Sequence, residues 1–429
     1  MPVIALMLLV GASTAHADLI LGDGFEGPPV VFDVEWSANT QLIEGDAVAA
    51  LLSSDPVTGE FQFSTALLTQ FGITLEPGDV LLIEGLAVVH IDSVQEIGGT
   101  TTVGTSKATL ADAIKNGTVA WNVGIGYEQL SQATALVVNP NAAGTPDAAG
   151  TLNADCVPSY DPNESSVTFA CTSGDYTMTL KVSSLNGKAE LLYQVVQKVG
   201  ENATASFTGT GTLDSFNSTG QIHYVNNALD SWGYDSDALT MALNIQLAAA
   251  GSGNSNISYK LPVPMLRIPI PQLAILGVTI DISAQIIASL TVPAAAAASA
   301  TASANYSYTG DTGFSYDGGD IVTVATINGH DFTDGQFDSA SNFANVDAQF
   351  GLAFPRIGLA LLNQEVAWLH TGFIIGSSIT FSPICKAGYT KLVVEGGYGI
   401  EVLGVTLVSD KATFAEREKR VSQNDCAEP

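Results

Sequence analysis

Carboxylates set among glycines are the first chemistry this sequence offers. Asp311, Asp317 and Asp320 lie with Gly310, Gly313, Gly318 and Gly319, and Asp331, Asp334 and Asp338 follow with Gly335 between them. A flexible loop that gathers roughly six to eight oxygens can hold calcium. These six aspartates are therefore the candidate metal ligands, and calcium the candidate cofactor. Their spacing matches neither the EF-hand loop nor the nonapeptide calcium repeat, so solvated Asp/Gly turns between strands are the competing expectation. Asp230, Asp235 and Asp237 flank Trp232 and Tyr234 in a similar way. Trp232, Tyr234 and Tyr316, with Tyr306, Tyr308 and Phe314 near them, are the candidate ligand-binding residues, a platform on which a sugar ring could stack. The same residues could equally be packed strand positions.

Catalysis finds less support. There is no G-x-S-x-G elbow, and His90, His223, His330 and His370 are scattered, with no H-E-x-x-H or H-x-H among them. With 43 acidic residues some carboxylate pair always exists, so abundance does not argue for glycoside hydrolysis. No residue is nominated as catalytic. The four cysteines form no C-x-x-C motif and no Cys/His cluster, which favours disulfides over a metal site. Cys156 and Cys171 bracket a segment rich in Pro, Asp, Asn and Ser, a hairpin closed by a bridge. Cys385 and Cys426 would then tie the end of the chain to the last sheet.

Strands must position these residues. Every even position from Val278 to Val292 is apolar, and the odd positions are polar except Ile287. A period of two means a strand with one apolar and one polar face, roughly 50 Å long if unbroken. The parity continues through Ala296, Ala298, Ala300, Ala302 and Ala304 to Tyr308, against the helical preference of alanine. Leu239 to Ala249 alternates on odd positions and Val346 to Phe354 on even ones. Pro262, Pro264, Pro269 and Pro271 predict an extended crossover between Leu261 and Gln272, barred from pairing at the centre of a sheet. Ser166–Cys171, Tyr176–Val182, Ala189–Val199 and Ala203–Leu213 read as successive strands. Further upstream, Val80–Ile83 reads as a buried strand, and Thr109–Lys115 as a helix capped by Thr109 and ended by Asn116-Gly117.

The fold expectation is all-β. A small β-barrel or sheet module with one helix spans residues 30–135, and a large antiparallel sandwich with long strands, divisible into two sub-sheets, spans 156–429. Residues 18–29 and 136–155 read as linkers. Residues 1–17 read as a signal peptide, with a short apolar run from Val3 to Val10 and an A-x-A site at Ala15-His16-Ala17, although no Lys or Arg precedes the run. A net charge of −29 excludes nucleic acid, whose phosphates need Lys and Arg. It disfavours anionic headgroups for the same reason.

Three stretches carry resemblances. Leu19 to Glu26, with Asp23-Gly24-Phe25-Glu26, resembles the opening of exported bacterial proteins. Leu75–Leu82 and Lys107–Thr118 are similar to a "PGDVLL…ATLxxAI" module of uncharacterised exported proteins. Leu261 to Cys426, with Phe354-Pro355-Arg356-Ile357-Gly358-Leu359, resembles the β-rich end of large secreted proteins from bacteria and fungi. None of the three implies a reaction. They imply a secreted or cell-surface address. The expectation is a non-enzymatic interaction or structural role, with a cell-surface glycan or envelope protein as partner. A secreted polysaccharide or ester hydrolase, or a membrane-acting pore former, are the alternatives.

Overall fold

The computed structural model describes residues 30–55, 58–127, 134–138, 156–172, 176–199, 203–252, 255–257, 263–286, 290–292, 297–332, 336–341, 346–380, 385–405 and 410–423. The chain is all-β, and its described residues form sheets of twelve, nine and six strands. The twelve-stranded and nine-stranded sheets face each other over one continuous apolar core. Phe207 stacks on Phe350 and Tyr306 packs against Phe373 between the two layers. The Tyr306 hydroxyl crosses from one sheet to the other to donate to the Ile374 carbonyl at 2.8 Å.

Two long strands form the spine of the twelve-stranded sheet, Ala228–Ser252 and Ala297–Tyr316, paired antiparallel from Trp232 opposite Tyr316 to Ser252 opposite Ala297. Each is too long for one partner on its other side. Ala228–Ser252 is flanked first by Phe216–Val225 and then by Ala203–Leu213. Ala297–Tyr316 is flanked by Ile321–Phe332 and Gln336–Ser341. A β-bulge between Ser236 and Leu239 marks the junction, with Ala238 at φ 58°. It moves the core-facing positions from even (Trp232, Tyr234, Ser236) to odd (Leu239 through Ala249). The alanine-rich stretch is extended as expected, with Ala300, Ala302 and Ala304 buried.

The segment 278–292 departs from expectation in lacking a wet face. Its described parts, Thr279–Ile286 and Leu290–Val292, both pair with Val346–Leu361, and 287–289 lie outside the described residues. Val278, Ile280, Ile282 and Ala284 are buried, but so are Asp281 and Ser283 on the opposite face. An ion pair keeps Asp281 satisfied there, as described below. The proline-rich stretch also departs from expectation. Val263–Pro269 is a paired strand between Thr134–Val138 and Thr279–Ile286. Pro264 pairs only with the former strand and Pro269 only with the latter. Among the described residues each proline is thus paired on one side only, where its missing N–H breaks no ladder bond.

Residues 40–107 hold the six-stranded sheet, with its own core of Phe61, Phe63, Leu81, Ile83, Ile91 and Val103. Val80–Ile83 is buried on both sides, as expected, with Val80 and Leu82 joining the main core. The flanking strands Val31–Trp36 and Ile114–Ile125 leave this sheet and join the twelve-stranded one. The expected helix at 109–115 is shorter, Leu110–Ala113, and Asn116 and Gly117 lie inside the strand that follows. Ile114 is fully buried, and cross-strand pairing overrides the local turn signal. A second α-helix, Thr65–Phe71, is not among the expected elements, although Ser64 caps it and Gly72 ends it at φ 70°. Residues 1–29 and 139–155 lie outside the described residues, so the leader and most of the expected linker have no structural description. Among the described residues no helix is long and apolar enough to cross a membrane.

Candidate functional site

The side chains singled out in the sequence do not come together. Trp232 and Tyr234 are 2% and 1% exposed and point into the core, where Trp232 stacks with Phe314; Tyr316 is 9% exposed. These rings pack the sandwich and offer no platform to a sugar. Asp317 and Asp320 are exposed at the turn between Ala297–Tyr316 and Ile321–Phe332. Asp331 lies opposite Ser307 and Asp338 opposite Thr301, so these carboxylates are strung along the spine over roughly 50 Å. Asp311 accepts the Ala238 N–H at 2.7 Å, and Asp338 pairs with Lys386 at 3.1 Å. Asp334 lies outside the described residues. Among the described residues no group of three potential metal ligands is close enough to hold an ion. Cys171 and Cys385 are both disulfide-bonded, and Cys156 sits opposite Cys171 across a hairpin; Cys426 lies outside the described residues.

Chemistry-bearing side chains do gather on the nine-stranded sheet, on the face turned away from the core. The register explains how. Arg356, His370, Glu395 and Thr413 are successive cross-strand neighbours, and Gly358, Trp368, Gly397 and Lys411 form the next row. Antiparallel pairing puts such neighbours on one face, within reach of each other. Arg356 makes a two-pronged pair with Glu365, both bonds 2.6 Å, and its guanidinium lies 5.1 Å from the Trp368 ring. Trp368 stacks on His370 and leans over Gly397, where a Cβ would meet the indole at 2.6 Å. His370 Nε2 is 3.0 Å from Glu395, whose carboxylate also takes Lys411 at 2.7 Å.

Beside this group lies a second, more deeply set ion pair. Arg267 donates through Nε and Nη2 to Asp281 at 3.0 and 2.8 Å, with the aspartate side chain 5% exposed. Its Nη1 donates to Asn363 Oδ1 at 2.9 Å, and Asn363 Nδ2 donates to the Gly85 carbonyl of the small sheet. One guanidinium therefore links two strands of the nine-stranded sheet, a hairpin turn and the N-terminal module.

Electrostatics limit what this region can do. Burial pulls the His370 imidazole down to about 4, and Arg356 and Lys411 add to the effect against the opposing pull of Glu395. Burial works against the Glu395 carboxylate, but Lys411 and His370 hold it below the usual glutamate range. Burial also pushes Asp281 up despite Arg267. At neutral pH His370 is an uncharged, weak base, and the neighbouring carboxylates already face cations. The arrangement suits cross-strand cohesion better than proton transfer. Asp235, at the spine bulge, is pushed up to about 7 by burial and by the charges of Asp237 and Asp311. Between the sheets a void of about 10 Å³, lined by Tyr127, Phe169, Leu266, Ile282, Ser283 and Phe354, has room for about one water.

In the sequence His370 reads as one scattered histidine, and Arg267, Arg356, Trp368, Glu395 and Lys411 belong to no motif. Trp368-x-His370 is visible as a same-face pair, but its partners on other strands follow from the register alone. No family model matches the chain, and neither does a curated protein or a solved structure.

Proposed function

We propose that this chain is a non-catalytic, extracytoplasmic β protein that serves as an interaction or structural module. The observation that supports it is the long pairing of Ala228–Ser252 with Ala297–Tyr316, interrupted by one bulge, over a core shared with the nine-stranded sheet. Strands of 25 and 20 residues make a stiff body with broad faces. The polar groups that could have served catalysis bind one another across strands. In this reading Cys156 bridges Cys171 and Cys385 bridges Cys426, which suits an oxidising compartment. Closing the shorter of these loops contributes about 3 kcal/mol in the chain-entropy model.

Capture from cell-envelope fractions and a glycan array test the reading, run beside polysaccharide and ester turnover assays and a liposome-leakage assay. A retained envelope component or glycan with no turnover supports it. Turnover that disappears on changing one carboxylate or histidine would replace it with a hydrolase, and dye release would replace it with a membrane-acting protein. Peptide mapping without reduction tests the two bridges.

A further inference from the structure

We infer that the solvent face of the spine, along Ala203–Leu213, the second half of Ala228–Ser252 and the first half of Ala297–Tyr316, is a docking surface for a neutral polysaccharide. The inference rests on the interaction-module reading and names its partner.

The argument begins with charge. In a chain of net charge −29, residues 203–213, 238–252 and 297–310 contain no Asp, Glu, Lys or Arg. Their alternate positions fill the core, so the others must face water. Thr210, Gln246, Thr301, Asn305 and Ser307 are exposed. The register sets them in rows, Thr210–Asn244–Asn305 and Thr208–Gln246–Ser303. The result is a lattice of hydroxyls and amides spaced about 4.8 Å between strands and about 6.6 Å along them. Asn244 Nδ2 donates to Asn305 Oδ1 at 2.5 Å and Gln246 Nε2 to Asn244 Oδ1 at 3.4 Å, which orients the amides. Exposed Ala242, Ala248 and Ala250 keep the strip between them low.

An ordinary wet face accounts for threonine, a good strand former. It does not account for the missing charge, because surfaces are normally about a quarter to a third charged. Charge returns on the strands at either side. Glu190 stands opposite Thr212 and Lys198 opposite Thr204, while Asp331 stands opposite Ser307 and Asp338 opposite Thr301. The patch is thus bounded, and its chemistry matches a ligand made of uncharged hydroxyls. A polyanion is repelled by the protein's overall charge. Three strands over ten residues cover roughly 14 by 33 Å, or about 500 Å². That falls short of the roughly 800 Å² per partner of a stable protein–protein contact, which argues against a second copy of the chain.

Affinity electrophoresis of the full chain through gels carrying a soluble neutral polysaccharide (a mixed-linkage glucan, a galactomannan and a xylan) tests the inference, with polygalacturonate as the charged comparison. Retardation by at least one neutral polymer, unchanged by added salt, is expected. The Gln246→Glu/Thr301→Glu double variant, with both substitutions on exposed positions and its melting temperature checked, should bind about tenfold more weakly. Ser422→Glu on the other sheet should bind as the unmodified chain does. Absence of retardation by every neutral polymer, retardation by polygalacturonate alone, or undiminished binding by the double variant would overturn the inference. A partner captured from the envelope equally well by the double variant would leave the module reading standing and remove this surface. Turnover of the polymer would remove the module reading itself.

Discussion

Removing the Asp281 carboxylate takes from the Arg267 guanidinium the two-pronged partner it holds in the sandwich. Asp281 and Arg267 side chains are 5% and 18% exposed and share bonds of 2.8 and 3.0 Å, so water can replace little of what is lost. Breaking one half of such a pair costs about 3–5 kcal/mol, whereas replacing both halves by well-packed apolar residues is close to neutral. Asp281→Ala should therefore lose about 3–5 kcal/mol, and Arg267→Met/Asp281→Leu should recover most of it. Asn363 would lose its Arg267 donor in the double variant, a cost of about 1 kcal/mol that sets the expected residue. Equilibrium unfolding in guanidinium chloride, followed by tryptophan fluorescence, gives both values. A loss below about 1 kcal/mol in Asp281→Ala would mean that the pair is solvated and that the Arg267 link is incidental. A double variant as unstable as the single one would mean that the charges contribute favourably beyond satisfying each other.

Other outcomes follow from the same geometry. Burial holds the folded His370 imidazole at about 4, below its ordinary value of 6.5, so the unfolded chain binds the proton more readily. Its contribution is full above about pH 6.5 and is lost as pH falls through 4, up to about 3 kcal/mol, and His370→Gln should flatten that part of the stability–pH curve. Asp235 acts in the opposite sense. Burial and Asp237 push its carboxyl up to about 7 in the folded chain, above the ordinary 3.8, so stability declines as pH rises between them, and Asp237→Asn should lessen the decline. Gly220→Ala would place a Cβ 2.0 Å from the buried Trp121 ring, and unfolding should show a loss of about 1–3 kcal/mol or more. Trp232→Ala should cost about 3–5 kcal/mol in the same assay, while leaving any glycan binding at the spine face intact in the folded fraction.

Much of the fold could be read from alternation, because a strand with one buried face writes its period into the chain. Leu239 to Ala249 and Ala298 to Tyr308 show it, and Ala203–Leu213 agrees end to end with the structure. Where alternation misled, a second layer of contacts intervened. Asp281 and Ser283 looked like wet positions, but Arg267 arrives from the neighbouring strand and makes burial of Asp281 tolerable. Ser236 is buried at the bulge and, being polar, hides the parity change from the sequence. The candidate residues fared worse, for a related reason. Aromatics near aspartates suggest a ligand, yet Trp232 and Tyr234 sit at even positions of a strand whose even positions fill the core there. The Arg356–His370–Glu395 row depends on pairing among strands at Val346–Leu361, Gln364–Thr380 and Cys385–Tyr398, and short-range pattern does not set that register.

The stiffness of the whole body depends on one structural proposition, that the two spine strands run as a single ladder through the bulge. Residue-resolved amide hydrogen exchange along Ala228–Ser252 and Ala297–Tyr316 tests it most directly. Slow exchange should extend from Trp232 to Gly251 and from Ala298 to Tyr316, with the bulge residues Asp237 and Ala238 as the local exceptions. Two blocks of different protection, meeting at Ser236–Leu239 and opening independently, would contradict it.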